Sequence, residues 1–366
     1  MKSFHELSCF KLFPFILAFA ICLVPIAGIA QQGADRRRRP FPEQQVGNFS
    51  YSFGFSNLLI NAEGREYVFA GKEGAEYGLA DDRKISDLRW ETRNAWLLGG
   101  EATINYQNRV RMNVGYWKRV QSGSGRHTDD DWMFLYDYGQ LLQTNYSEGT
   151  SELDDGSQFD LNADVTLLYR MDNRLELKAV AGYKRQDWQW EEHDSYGIYF
   201  EPNETTQLLQ DGDTIGAIGD GLIFQSSNVG ITYQQEISLP YLGARLDYQL
   251  GDPVSLQTYA MYSKWVDIEA TDHHLNRDLS TVDTLEDGEY WSLGANITWN
   301  FRPRWTFAGG VAFEEIGTMQ GDSVWTFMVD EETGERLPTP LRETTEDEAG
   351  AGYAATIFSV NLSYQL

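Results

Sequence analysis

The sequence predicts an all-β protein: a ten-stranded antiparallel transmembrane β-barrel with long extracellular loops. Three observations carry this: period-two alternation along most of the chain, connections that alternate between short and long, and an apolar N-terminal leader. The alternation is clearest at the C-terminus, where Phe358, Val360, Leu362, Tyr364 and Leu366 interleave with Ser359, Asn361, Ser363 and Gln365. The stretch from Trp291 to Phe301 repeats it. Successive strand residues point to opposite faces, so one face is apolar and the other polar. A soluble sandwich with one wet face would read the same way, and connection lengths separate the two.

Short turns are expected at 106–109 (YQNR), 171–174 (MDNR), 251–253 (GDP) and 301–304 (FRPR). They interleave with long polar stretches near 62–84, 122–156, 194–226, 271–288 and 318–352. Four short and five long connections join ten strands, the first expected at about 47–60. An even strand number, this alternation and an aromatic content of 14%, much of it at strand ends, are marks of a bacterial outer-membrane barrel. Closing the sheet pairs every backbone group that would otherwise be stranded in lipid.

Residues 1–30 read as a secretory signal peptide. Lys2 and Lys11 flank the start, LFPFILAFAICLVPIA is the apolar core, and GIA before Gln31 offers small residues to a signal peptidase. No later apolar run is long enough to cross a membrane as a helix, which takes about 18 residues or more. Both cysteines, Cys9 and Cys22, lie in the leader, so the expected mature chain has neither disulfides nor thiol chemistry. Residues 31–46, with the run Arg36 to Arg39, read as a basic periplasmic arm, and 47–366 as the barrel.

The net charge is −26 over the whole sequence. Such a surface repels nucleic acid and attracts cationic peptides. Three of the four histidines outside the leader stand beside carboxylates near predicted strand tips, in RHTDDDWM (126–133), WEEHD (190–194) and WVDIEATDHHLNRD (265–278). On an extended backbone Asp129 and Asp131 share one face, as do Asp272 and His274. An aspartate beside a histidine fixes its tautomer, and such pairs facing each other across a cleft could activate a water. A solvated acidic loop tip is the alternative reading of the same residues. No common metal-ligand spacing is present. QDGDTIGAIGDGL (210–222) resembles a calcium loop only loosely, because Ile215 and Leu222 stand at ligand positions. No cofactor is expected.

The stretches KISDLRWETRNAWLLGG (84–100), DDDWM (129–133), AGYKRQDW (181–188), LPYLGARLDYQL (239–250), YSKWVDIEATDHH (262–274) and EYWSLGANITW (289–299) resemble, in this order, the omptins. These are outer-membrane aspartyl-type endoproteases built as ten-stranded barrels. The resemblance runs from about residue 50 to 366. It implies that Asp129 and Asp131 form one catalytic couple and Asp272 and His274 the other. His274 would take a proton from a water held between it and Asp129, while Asp130 and His273 would be bystanders.

The resemblance also implies cationic peptide or protein substrates cut next to basic residues. Glu66 matches an acidic pocket residue of the family. The second pocket acid is replaced by Ala270, with Glu269 pointing the other way, which suggests a shallower preference for basic side chains. The family's lipopolysaccharide-binding wall is also changed: Asp187 and Glu236 stand at matching outward positions, with Arg185 where an acid is expected. The phosphate-binding pattern is lost, which argues against lipopolysaccharide dependence. The alternative function is a catalytically weak barrel acting as an adhesin.

Overall fold

A computed structural model describes residues 49–107, 109–135, 140–170, 174–199, 207–211, 214–218, 222–329 and 336–366. The expected signal peptide and basic arm lie outside these residues, as do parts of the loosely calcium-like 210–222 segment.

Among the described residues, fourteen strands form one sheet. They are β1 (Phe49–Phe69), β2 (Lys84–Tyr106), β3 (Val110–Gln121), β4 (Ser124–Leu135), β5 (Gln140–Arg170), β6 (Leu175–Tyr199), β7 (Gln207–Asp211), β8 (Thr214–Ile218), β9 (Leu222–Ser226), β10 (Ile231–Gly251), β11 (Val254–His274), β12 (Leu279–Arg302), β13 (Trp305–Val329) and β14 (Arg336–Gln365). Strands β3 and β4 are successive parts of one stave, since both lie between β2 and β5. With the short β7, β8 and β9 set aside, ten staves remain. They close because β14 pairs with β1 and β5 pairs with β6, every stave antiparallel to its neighbours.

Tight turns fall where the sequence places them at 251–253 and 301–304, where Gly251 pairs with Val254 and Arg302 with Trp305. The long connections differ from expectation. Strand β1 continues to Phe69 instead of ending near residue 60, and most of 122–156 is strand. The backbone ladder therefore runs well past the apolar belt, and the expected loops are largely tall hairpins. A 3-10 turn at Lys72–Tyr77 joins β1 to β2, ended by Gly78 in the left-handed region at φ 70°.

The belt itself is legible in exposure. Phe53, Phe55, Leu242, Trp299 and Val360 are all exposed on the outer face, in the lower part of their strands. Inside that belt the lumen is polar and paired. Lys184 bonds Glu314 and Tyr290, and Arg111 and Arg245 each reach Asp164 at 2.8 Å. Lys184, Glu314, Tyr290, Arg111 and Arg245 line a cavity of about 480 Å³.

Above it the barrel is plugged by aromatic rings. Trp90 and Trp190 both stack on Tyr233, at 5.6 and 6.0 Å between centroids, and Trp188 stacks on Tyr353 at 6.0 Å. All five rings are buried. Gly64 makes room for this layer, since a Cβ there would come within 2.8 Å of the Trp190 ring. The plug is the floor of an upper cleft.

Candidate active site

The cleft holds about 140 Å³ and is lined by Glu66, Asp129, Asp131, Asp272, His274 and Asp283 among others. All five site residues read from the sequence therefore reach one place. Each comes from a strand segment above the apolar belt, where the barrel wall is lined by polar groups instead of lipid.

Strand β4 delivers the first couple. Its register against β2 sets Asp129 opposite Leu88 and Asp131 opposite Ser86. Asp129 is buried, and the Ser86 hydroxyl donates to its Oδ1 at 3.4 Å. Alternation turns Asp130 the other way, where the Gln143 amide donates to it at 2.6 Å. Burial, followed by the neighbouring charges of Asp131 and Asp130, pushes the Asp129 carboxyl well above the usual carboxylate range, with Arg277 opposing the shift.

Strand β11 delivers the second couple from across the cleft. Asp272 is buried and its Oδ2 lies 2.7 Å from His274 Nε2. His273 faces out and is exposed. The short contact fixes Nε2 as the nitrogen that bears hydrogen and leaves Nδ1 as the ring's other polar atom.

Glu66 rises from β1 and accepts a hydrogen bond from the Trp90 indole at 3.2 Å. Burial, then the charges of Asp272 and Asp283, hold its carboxyl well above the ordinary range. Ala270 is buried and Glu269 exposed, as their parity on β11 requires.

Several residues of the cleft were not singled out from the sequence. Asp283 on β12 is buried, accepts from the Ser323 hydroxyl at 2.6 Å, and is pushed up to about 7, chiefly by burial. Arg277 and Tyr199 meet at the cleft wall, the guanidinium lying 5.9 Å from the ring centroid. His127 lies beneath, fully buried against Trp90. Its spacing two residues before Asp129 was a usable signal. Asp283 carried none, because only the pairing of β11 with β12 brings it in.

The outer wall also has a definite arrangement. Arg185 is paired with Glu236 on β10, and Asp187 accepts from the Gln234 amide at 2.9 Å.

Comparison with known proteins places this geometry. The model of the Omptin family matches residues 47–366. The chain is 25% identical over 255 residues to the plasminogen activator of Yersinia pestis, covering 69% of this chain and 72% of that protein. It is 26% identical over 256 residues to protease 7 of Escherichia coli, covering 69% and 76%. With the outer membrane protease IcsP of Shigella flexneri it shares 24% identity over 305 residues, 83% and 87% of the two chains. The fold matches the crystal structure of the outer membrane protease OmpT from Escherichia coli at a TM-score of 0.68, with 21% identity over 88% of this chain and 99% of that one.

Proposed function

This chain belongs to the omptin family of outer membrane proteases, and from that premise we propose that it is an endopeptidase whose cleft faces the outside of the cell and cuts peptide bonds next to basic residues. The observation that carries the mechanism is the 2.7 Å contact of His274 with Asp272 in the same cleft as Asp129 and Asp131.

Asp272 orients the imidazole through Nε2–H, so Nδ1 is available to accept a proton. A water between Nδ1 and Asp129 loses that proton as its oxygen attacks the scissile carbonyl. The imidazolium formed is stabilised by Asp272, and the proton passes to the leaving amine. Asp131 supports Asp129: two carboxyls this close hold a proton between them more readily than either alone. The water-excluding floor of Trp90, Tyr233 and Trp190 lowers the local dielectric and strengthens these interactions.

Glu66 supports recognition of a cationic side chain, since a buried carboxyl is stabilised by an arriving guanidinium or ammonium. The wall geometry supports activity without lipopolysaccharide: Glu236 neutralises Arg185 and Asp187 adds negative charge where a lipid phosphate would have to dock.

The test is incubation of the protein refolded in detergent with a peptide library, reading the products by mass spectrometry, beside the His274→Ala variant. Cleavage next to arginine or lysine by the wild type and its loss in the variant are expected. An intact library after incubation with the wild type would end the reading.

A further inference from the structure

This inference rests on the proteolytic reading above and concerns which residues select the substrate. We propose that Asp283 is the second acid of a two-carboxylate pocket, acting with Glu66 to clasp the cationic side chain of a substrate arginine or lysine in the place that Ala270 leaves apolar.

The register of β11 with β12 carries the argument. Ala270 and Asp283 are direct partners across that ladder. Opposed residues of an antiparallel pair present their side chains to the same face, with Cβ atoms about 4.5 to 5.5 Å apart. A carboxylate at 283 therefore enters the region that an acid at 270 would fill, and the small Ala270 side chain leaves it room. The acid has moved sideways by one strand.

Burial and partners support the same reading. Asp283 and Glu66 are each only 6% exposed, and both line the cleft that holds Asp129 and His274. Among the described residues, Asp283 receives one hydroxyl hydrogen bond, from Ser323, and Glu66 one indole hydrogen bond, from Trp90. Neither is ion-paired to a lysine or arginine there. Two buried carboxyls without a counter-ion are costly as anions, and a cation arriving from outside relieves both at once. A guanidinium has five donors in a planar fork and can serve two carboxylates together, whereas an ammonium is a point charge. Arginine is thus favoured over lysine.

The same geometry reverses the expectation drawn from Ala270 alone. An aspartate introduced at 270 would stand directly opposite Asp283 as a third pocket acid, an unfavourable like-charge pair. Ala270→Asp by itself should not sharpen selectivity; only the transposition, with Asp283 removed, should conserve it.

The test uses the detergent-refolded protein as wild type, as Asp283→Asn, and as the double variant Ala270→Asp/Asp283→Ala. The asparagine keeps an acceptor for Ser323 and nearly the same shape. Each protein is titrated with acetyl-arginine amide and with its uncharged isostere acetyl-citrulline amide, and assayed on peptides carrying the same two residues before the cut. Loss of one charged hydrogen-bonding partner corresponds to about a 10- to 100-fold change. Asp283→Asn should lower the arginine-to-citrulline ratio by that factor, in binding and in kcat/KM. The double variant should restore the ratio. An unaltered ratio in Asp283→Asn overturns the assignment while leaving proteolysis intact. Selective arginine binding that depends on Asp283, with no peptide cut, upholds the pocket and sinks the proteolytic reading.

Discussion

His127 packs against Trp90 with ring centroids 4.2 Å apart, and neither of its ring nitrogens meets a hydrogen-bond partner among the described residues. Burial first, and then the nearby His274, bring this imidazole down to about 3. It is a neutral wedge under the cleft that holds Asp129 and His274.

A pH-dependent stability follows. The unfolded imidazole, near 6.5, takes up a proton that the folded one refuses until about pH 3. Its contribution is therefore fully present above pH 6.5 and is lost as pH falls through that window. Replacing it by leucine removes an unpaired buried polar group, so His127→Leu should be more stable by about 1 to 2 kcal/mol at neutral pH. The gap should widen towards pH 4.5. Unfolding midpoints from heat-dependent gel mobility check this, and an identical gap at both pH values would contradict it.

The two couples predict a sharp division between neighbouring side chains. Asp129→Ala, Asp131→Ala, Asp272→Ala and His274→Ala should each lower kcat/KM by ~10²-fold or more, the scale of a lost general base. Asp130→Ala and His273→Ala should stay near wild type, since one bonds Gln143 on the opposite face and the other is exposed. An inactive His273→Ala would place the base one residue away from where the ladder puts it.

Recognition of arginine should depend on pH. The Asp283 carboxyl is held at about 7 by burial and by Asp272, against the Ser323 hydrogen bond. Glu66 adds a like charge from β1, while Arg277 and the imidazole of His274 line the same cleft. Below pH 7 a proton occupies Asp283 and competes with the substrate, so KM for an arginine peptide should rise as pH falls towards 5. In Asp283→Asn this dependence should flatten. Equal pH profiles for KM in the two proteins would refute it.

The outer wall leads to a lipid prediction. With Arg185 already paired to Glu236, and Asp187 beside them, a lipid A phosphate would meet net negative charge unless a divalent cation bridges the two. Activity should need no lipopolysaccharide, or need it only together with calcium or magnesium. Assays with lipopolysaccharide, with chelator and with both decide the matter; strong activation in chelator would show that other basic groups bind the phosphates.

The sequence by itself determined the barrel, because alternate residues meet lipid and lumen and the contrast between Val360 or Leu362 and Asn361 or Ser363 survives in the linear order. It also put Asp129 with Asp131 and Asp272 with His274 on common faces, since two-residue spacing on a strand is enough for that, while the catalytic role proposed for them comes from the resemblance to the omptins. Above the lipid belt both faces of a strand can be polar, so the alternation fades while the hydrogen-bond ladder continues. That is why β1 runs on to Phe69 and β4 fills an expected loop. Which strands lie side by side, and in which register, is decided by closure of the sheet. Only that closure sets Asp283 opposite Ala270 and slides His127 under the cleft beside Trp90. Such partners are distant or unpatterned in the chain, and cross-strand pairing is the physical event that makes them neighbours.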